Sequence, residues 1–488
     1  MGGGLLQLVA YGAQDAYISG NPQITFWKGL FKRHTNFAME PFRVNLSGEA
    51  AWGVKHSAIL GRHADLLYST YLEVVLPGID SAGNVVTWNN DQGRLGYNML
   101  KYVELDIGGQ VIDRQYGEFL YLWDSLTSSQ ATSTKLWNMV GGGAPASGLN
   151  GSVSGDSNAS VSNGTAYAKQ VLCNAGSGRP SLPSIIYIPL YFFYTRNPGA
   201  ALPLIALQYH EVKINVLWNN AQYVAGDFTK ATSLPQPTQA SVYVDYIYLD
   251  TEERRRMAQQ SHEYLIEQTQ YNEDKGISSF SNRIDLTFNH PVKELIWVVQ
   301  PSYYNNCHLA QSRTTPITRL QPFTYNNSNV SPGLISAGPV YEQWIQINGQ
   351  DRLDKRYGDY FNKVQLYQHH SGVGGTMYGA TTSINTPAAQ DSGYYVSGTS
   401  SSVQPAQTQP GIYCYSFALR PEEHQPSGTC NFSRIDTATI VMTIDGAEDL
   451  SSHADANGND NNWDVRVYAI NYNILRVMSG MGGLAYSN

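Results

Sequence analysis

Charge is scarce in this 488-residue sequence: Asp, Glu, Lys and Arg make up 14 %, and the formal net charge is −8. A surface built to hold nucleic acid needs Lys and Arg in excess, because neutralised phosphates supply most of that affinity. The balance excludes a chain whose whole surface grips a phosphate backbone, and direct genome binding is not expected. What remains is a local basic patch at Lys28 to His34. Cysteine is equally sparse. Cys173, Cys307, Cys414 and Cys430 lie far apart, with no CxxC and no Cys/His cluster, so the spacing gives no metal site. No stretch approaches the roughly 18 apolar residues of a membrane span. Met1-Gly2-Gly3-Gly4 leads only to a brief apolar patch, Leu5 to Ala10, without the charged start of a signal peptide. Leu6 stands where a myristoylation motif wants Ser or Thr. These absences fit synthesis in a reducing cytoplasm with free thiols.

Aromatics, by contrast, reach 12 %, with 34 tyrosines, and Gly, Pro, Ser, Thr and Asn fill the gaps between short Val/Ile/Tyr/Phe runs. That texture is mainly β with long loops, and the length allows about two or three domains. Tyr buries well while keeping a polar tip, so a Tyr-rich, charge-poor chain suits extensive interfaces.

Along the chain, strands are expected at Pro41 to Leu46, Ala51 to Leu60 and Asp65 to Leu76. In the last of these Tyr68, Thr70, Leu72, Val74 and Leu76 share one face. Asn98 to Asp113 reads as a hairpin turning at Gly108-Gly109. A helix follows, with Phe119, Leu122, Trp123 and Leu126 on its buried face. Ser128 to Pro183 is a long polar excursion. Strands resume at Ile185 to Tyr194, Ala206 to Trp218 and Ser241 to Leu249. Asp250 to Gln260 is a short helix: Asp250 caps it, Glu253 completes a capping-box-like pair, and Glu252 and Glu253 neutralise Arg254, Arg255 and Arg256. The pattern then repeats. Ile107-Gly108-Gly109-Gln110 and Tyr116-Gly117-Glu118 return as Ile347-Asn348-Gly349-Gln350 and Tyr357-Gly358-Asp359. A second helix with Tyr360, Val364 and Tyr367 on its apolar face mirrors the first. The same order of elements twice means two similarly folded β domains, either sandwiches or jelly rolls.

The opening segment, Gly12 to Phe42, reads as a short amphipathic helix or turn that opens into a strand near Phe42 to Leu46. Asn21-Pro22 starts it, Ile24, Trp27 and Phe31 form its stripe, and Lys28, Lys32, Arg33 and His34 lie toward its end. Docking of that stripe on the chain's own core is the simplest expectation.

No catalytic constellation stands out. Glu422-Glu423-His424 is dense, but adjacent residues in an extended chain point opposite ways. Asp455, Asn457, Asn459 and Asp460 read as an Asn/Gly turn, with weak surface calcium binding as the alternative, since glycine falls at the fourth place rather than the sixth. Among the N-x-S/T sequons, Asn158, Asn163 and Asn326 are candidate glycan acceptors, whereas Asn431 reads as structural.

Several long blocks resemble the major capsid proteins of large icosahedral double-stranded DNA viruses, the phycodnavirus, iridovirus and mimivirus group. They are Gly12 to Phe42, LPLIALQYHEVKINV (Leu202 to Val216), VDYIYLDTEERRRMAQQSHEYLIEQTQ (Val244 to Gln270), INGQDRLDKRYGDYFNKVQ (Ile347 to Gln365), SFALRPEEHQPSGTCNFSRID (Ser416 to Asp436) and NYNILRVMSGMGGLAYSN (Asn471 to Asn488). Their order spans the whole chain.

The resemblance implies two tandem eight-stranded antiparallel jelly rolls with short helices and long surface loops. It divides the chain into an inner-face arm (1–35), jelly roll 1 (36–249), a connecting helix (250–264) and jelly roll 2 (265–488). It also places outer loops between the fourth and fifth and the sixth and seventh strands, mapped to Ser128 to Pro183 and Asn219 to Gln239, then to His369 to Gln409 and Gly446 to Asn462. The implied function is structural, without cofactor or catalysis: homotrimeric, pseudo-hexameric capsomers tiling a virion shell and assembled in the host cytoplasm. Implied partners are neighbouring capsomers, minor capsid, cement and penton proteins, and inner-membrane proteins met through Lys28, Lys32 and Arg33. The alternatives are a minor capsid or spike paralogue and a lectin-like sandwich whose Trp88, Trp137 and Trp463 would stack on sugars.

Overall fold

Two sets of eight strands carry the fold. In the computed structural model the described residues are 3–27, 29, 31–78, 80, 86, 88–89, 91, 94–141, 166–167, 184–279, 281–312, 319–325, 338–372, 411–444 and 462–486. The first set is β1 (Phe37–Asn45), β2 (Lys55–Leu60), β3 (Leu66–Leu76), β4 (Leu100–Ile107), β5 (Gln110–Tyr116), β6 (Ser184–Pro189), β7 (Val212–Trp218) and β8 (Gln239–Leu249). The second is β9 (His262–Ile277), β10 (Ser281–Asp285), β11 (Pro291–Pro301), β12 (Val340–Ile347), β13 (Gln350–Asp351), β14 (Ile412–Ser416), β15 (Ala438–Ile444) and β16 (Trp463–Met478).

Pairing gives sheets in the order β1-β8-β3-β6 and β2-β7-β4-β5. The second set repeats this as β9-β16-β11-β14 and β10-β15-β12-β13. In both, the first strand lies beside the last and all these pairs are antiparallel. Two facing sheets, each built on four of these strands and linked this way, form a jelly roll, and the chain has two.

Successive strands of a jelly roll reverse direction, so connections after odd-numbered strands gather at one end and those after even-numbered strands at the other. The contacts agree. At the odd end Gly53 N–H donates to Asn219 O (3.1 Å) and Tyr223 Oη to Asn305 O (2.8 Å). At the even end Asp65 N–H donates to Ile247 O (3.1 Å) and Tyr209 N–H to Gly480 O (2.9 Å). Residues 128–183 and 369–409 lie between the fifth and sixth strands of their domains, and residues 219–239 and 446–462 between the seventh and eighth. This corrects the strand numbering expected for the long loops by one step. All four leave from the odd end, whereas β1 is entered at the even end, where Phe37 pairs with Leu249.

The glycine pairs mark equivalent corners. Helix α3 (Gly117–Thr127), preceded in the chain by α1 (Gly3–Val9) and α2 (Asp15–Ser19), starts where a Cβ on Gly117 would lie 2.2 Å from Tyr97 O. A Cβ on Gly358 would lie 2.2 Å from Val340 O. In both domains the backbone passes too close for any side chain. On α3 Phe119, Leu122, Trp123 and Leu126 are buried as expected. The second helix differs. Tyr360–Val364 is a π turn continued by an α turn, Gln365–His369, and the buried residues are Phe361, Asn362, Gln365 and Leu366. Tyr367 and Val364 are exposed, because the wider π turn rotates the inward face relative to a 3.6-residue count.

A second correction concerns β3. Register against β8 shifts between Val244↔Thr70 and Tyr246↔Leu67. The bulge flips the alternation, so Leu67 joins the main core with Leu72, Val74 and Leu76, while Tyr68 turns to a small outer cluster with Leu66, Ile247 and Met257.

Strands β11 and β16 are buried on both faces. Leu295, Trp297, Val299, Val465, Val467 and Ala469 fill the core of jelly roll 2. Their alternates Ile296, Val298, Tyr468 and Ile470 belong to the same apolar cluster as Val103, Phe119 and Leu122 of jelly roll 1. One sheet of the second domain thus packs on helix α3 and β5 of the first, with Tyr468 against Phe119 and Tyr116, and the two jelly rolls share a core.

Candidate functional site

Three features outside the two internal cores bear on function: the polar seam between the domains, the uncovered N-terminal arm and a buried Glu/His/Cys group.

The seam is built by the same alternation that buries β16. Arg466, two residues before Tyr468, points at jelly roll 1 and meets Glu118 in the first turn of α3, where a carboxylate complements the helix dipole. Arg466 Nε lies 2.7 Å from Glu118 Oε2 and Nη2 lies 2.7 Å from Oε1. Tyr325 and Tyr468 donate to the same carboxylate, and Arg466 also reaches Gln300 Oε1 at 2.7 Å. Burial opposes the Arg466 charge, but Glu118 outweighs it and holds the guanidinium well above its ordinary range. A second knot joins Arg196 of jelly roll 1 and Lys293 of β11 to Glu267 on β9, at 2.5 and 2.6 Å. Burial draws the Lys293 pKa down, while Lys293 and Arg196 overcome the burial of Glu267 and hold its carboxyl below the usual range. Further along, the buried Asp113 accepts from Thr269 N–H (2.9 Å) and Gln115 Nε2 (2.9 Å), and burial raises its pKa to about 6. Apart from Asp113 and Gln115 on one strand, none of these residues neighbours its partner in sequence, so spacing could not have found the seam.

The arm departs from expectation. No helix starts at Asn21, whose backbone is left-handed at φ 51° rather than extended as a cap requires. Ile24, Trp27 and Phe31 are not docked on the core: Trp27 is 85 % and Phe31 94 % exposed. The run Ile24-Thr25-Phe26-Trp27 is β-branched and aromatic, a poor helix former, and Gly29 follows it. The regular turns are instead α1 and α2, and they too leave Leu8, Val9, Tyr17 and Ile18 exposed. Lys32 and Arg33 are exposed as well, and Lys28 lies outside the described residues.

The connecting helix, α4 (Thr251–Gln259), forms where expected. Asp250 Oδ1 accepts from Thr251 N–H at 2.8 Å. Arg254 is paired less with the adjacent glutamates than with Asp65 across the chain, Nε to Oδ1 at 2.9 Å and Nη2 to Oδ2 at 3.0 Å.

Glu422 and Glu423 do diverge: Glu422 serves His370 and Ser371, and Glu423 pairs with Arg420. The third feature was invisible to spacing. Glu294, His370 and Cys414 offer a carboxylate oxygen, an imidazole nitrogen and a thiol sulfur within 4.8 Å of one another. The lack of a Cys/His cluster in the sequence therefore does not hold in space, because strand pairing brings β11 and β14 together.

Asn158, Asn163 and Asn326 lie outside the described residues, as do Asp455 to Asp460. Asn431 is exposed, and its Oδ1 accepts from Ser433 N–H at 3.1 Å. Trp88, a sugar-stacking residue in the lectin-like alternative, is buried against Trp52.

Comparison with known proteins agrees along the whole chain. Residues 25–250 match the family described as "Major capsid protein N-terminus", and residues 253–382 and 383–483 match "Large eukaryotic DNA virus major capsid protein". The chain is 41 % identical to the major capsid protein of Pyramimonas orientalis virus and 36 % to that of Paramecium bursaria Chlorella virus 1, each over the full length of both chains. The crystal structure of PBCV-1 VP54 is 33 % identical, covers 95 % of this chain and all of its own, and superposes with a TM-score of 0.66. The Faustovirus major capsid protein, 11 % identical, shares the fold with a TM-score of 0.60 over 96 % of this chain and 94 % of its own. With two jelly rolls in tandem and family matches over both, this chain belongs to the major capsid proteins of large eukaryotic DNA viruses and is a structural component of the virion shell.

Proposed function

We propose that three copies of this chain close into a ring with a hexagonal outline, the repeating tile of the shell. The observation that carries this is the fused pair of jelly rolls: one chain presents two near-equivalent wedges with a shared core, so three chains present six. Closed cyclic assembly is the common fate of such subunits, and the Tyr-rich, charge-poor composition suits large permanent interfaces. Residues 1–35 act as an inner-face arm, 36–249 and 265–488 as the wedges, and 250–264 as the link.

The long loops leave from the end opposite the entry of β1, which sets the arm facing inward when the loops face outward. There its apolar side chains, with Lys32 and Arg33, would meet minor capsid, cement or penton proteins or an inner-membrane protein. The work of the protein is mechanical rather than catalytic, and loop asparagines such as Asn158, Asn163 and Asn326 are the places for glycans. Negative-stain imaging of the purified protein tests this reading. Six-lobed particles support it, and isolated two-lobed particles at every concentration contradict it.

A further inference from the structure

Glu294 on β11, Cys414 on β14 and His370, just beyond the turn Gln365–His369, come from three separate stretches of chain. Glu294 and Cys414 are fully buried, and the His370 side chain is 2 % exposed. Two observations separate this group from an ordinary buried ion pair.

The first is how the imidazole is held. His370 Nδ1 is 3.1 Å from Glu422 Oε1. Glu422 is itself fixed by the Ser371 N–H at 2.9 Å and the Ser371 hydroxyl at 2.6 Å. A carboxylate on Nδ1 sets the ring orientation and leaves Nε2 as the reactive nitrogen, the arrangement that stands behind metal-ligating histidines. Here Nε2 faces Glu294 Oε1 at 2.5 Å. The second is Glu294 Oε2, which is buried without a hydrogen-bond partner. Buried carboxylate oxygens are rarely left so unless something else completes them.

We propose that Glu294, His370 and Cys414 form a buried site for one zinc-class divalent cation, with Glu422 as the positioning residue behind the imidazole. One sulfur, one nitrogen and one oxygen donor make a set suited to zinc. A thiolate, a carboxylate and a neutral imidazole balance the two positive charges, which a dry site requires. On binding, the cation takes the place of the proton between His370 and Glu294 and of the thiol proton of Cys414, and both protons leave to solvent.

The site has a mechanical consequence. Gly372 N–H donates to Leu126 O at 2.7 Å, so the segment carrying His370 is docked on the end of helix α3. A cation at His370 links that segment to β11 and β14, and through it the second jelly roll to the first.

The test uses the full chain, stripped with a chelator and titrated with cobalt(II). One equivalent per chain should give a thiolate-to-cobalt charge-transfer band that zinc then abolishes. Cys414→Ser, nearly unchanged in volume, should lose the band, whereas Cys307→Ser should keep it. Glu422→Gln retains all three donors and should weaken binding about 10- to 100-fold. Should Cys414→Ser fail to fold, the wild-type spectrum and the Glu422→Gln affinity decide alone. No band at one equivalent, a band that survives in Cys414→Ser, or unchanged affinity in Glu422→Gln would overturn the proposal and leave His370 as an ion-pair clamp between Glu294 and Glu422.

Discussion

Arg466 and Glu118, 348 residues apart, meet as a buried two-pronged ion pair that ties the last strand of jelly roll 2 to the first turn of helix α3 in jelly roll 1. Removing one partner strands the other charge in the seam. Glu118→Ala should therefore cost about 3–5 kcal/mol, seen as a shift in the chemical denaturation midpoint. The double substitution Glu118→Leu with Arg466→Met should lose less than either single removal, because no uncompensated charge remains. Equal additive losses would show that the pair acts as two independent contacts.

Asp113 gives the seam a pH signature. Its carboxyl titrates at about 6 in the folded chain because it is buried, against 3.8 ordinarily. The folded state then holds the proton that the unfolded state has released, so protonation favours folding between these two values. Relative to Asp113→Asn, the native protein should gain up to about 3 kcal/mol as pH falls from above 6 to below 4, and lose it again as pH rises through 6. Denaturation curves across this range measure the difference, and parallel profiles for the two proteins would contradict it.

Gly117 and Gly358 should be intolerant of any side chain. A Cβ at Gly117 meets Tyr97 O at 2.2 Å and Leu100 O at 2.3 Å, and one at Gly358 meets Val340 O at 2.2 Å. Backbone cannot swing aside, so Gly117→Ala and Gly358→Ala should each cost about 3 kcal/mol or more. Gly109 and Gly349 have open space and only a left-handed φ, and their alanine variants should cost about 1–2 kcal/mol. The ordering, read from melting temperatures of the four variants, is the test.

Deleting residues 1–20 should leave the melting temperature and the proposed trimer unchanged and impair shell assembly. Among its described residues, 3–20, none is buried against the jelly rolls. A drop in thermal stability or loss of the trimer would show that the arm belongs to the fold rather than to its contacts.

The internal repeat made much of the fold legible. Two Gly-containing hairpins, two corner glycines and the stripe from Phe119 to Leu126 are local signals, and local geometry honoured them. The periodic reading failed where a residue's surroundings come from elsewhere. The bulge in β3 is set by its partner β8, and the π turn at Tyr360–Val364 rotates a face that counting by 3.6 cannot follow. Ile24, Trp27 and Phe31 looked like a docking stripe, but among the described residues all three stand exposed. The seam and the Glu294, His370 and Cys414 group are products of strand order, and strand order joins residues that spacing keeps apart.

The most direct measurement is the solution mass of the purified chain by light scattering. A particle three times the 53.9 kDa chain mass, stable on dilution, is the expected result. A species that stays at the mass of one chain at every concentration would contradict the ring of three on which the account rests.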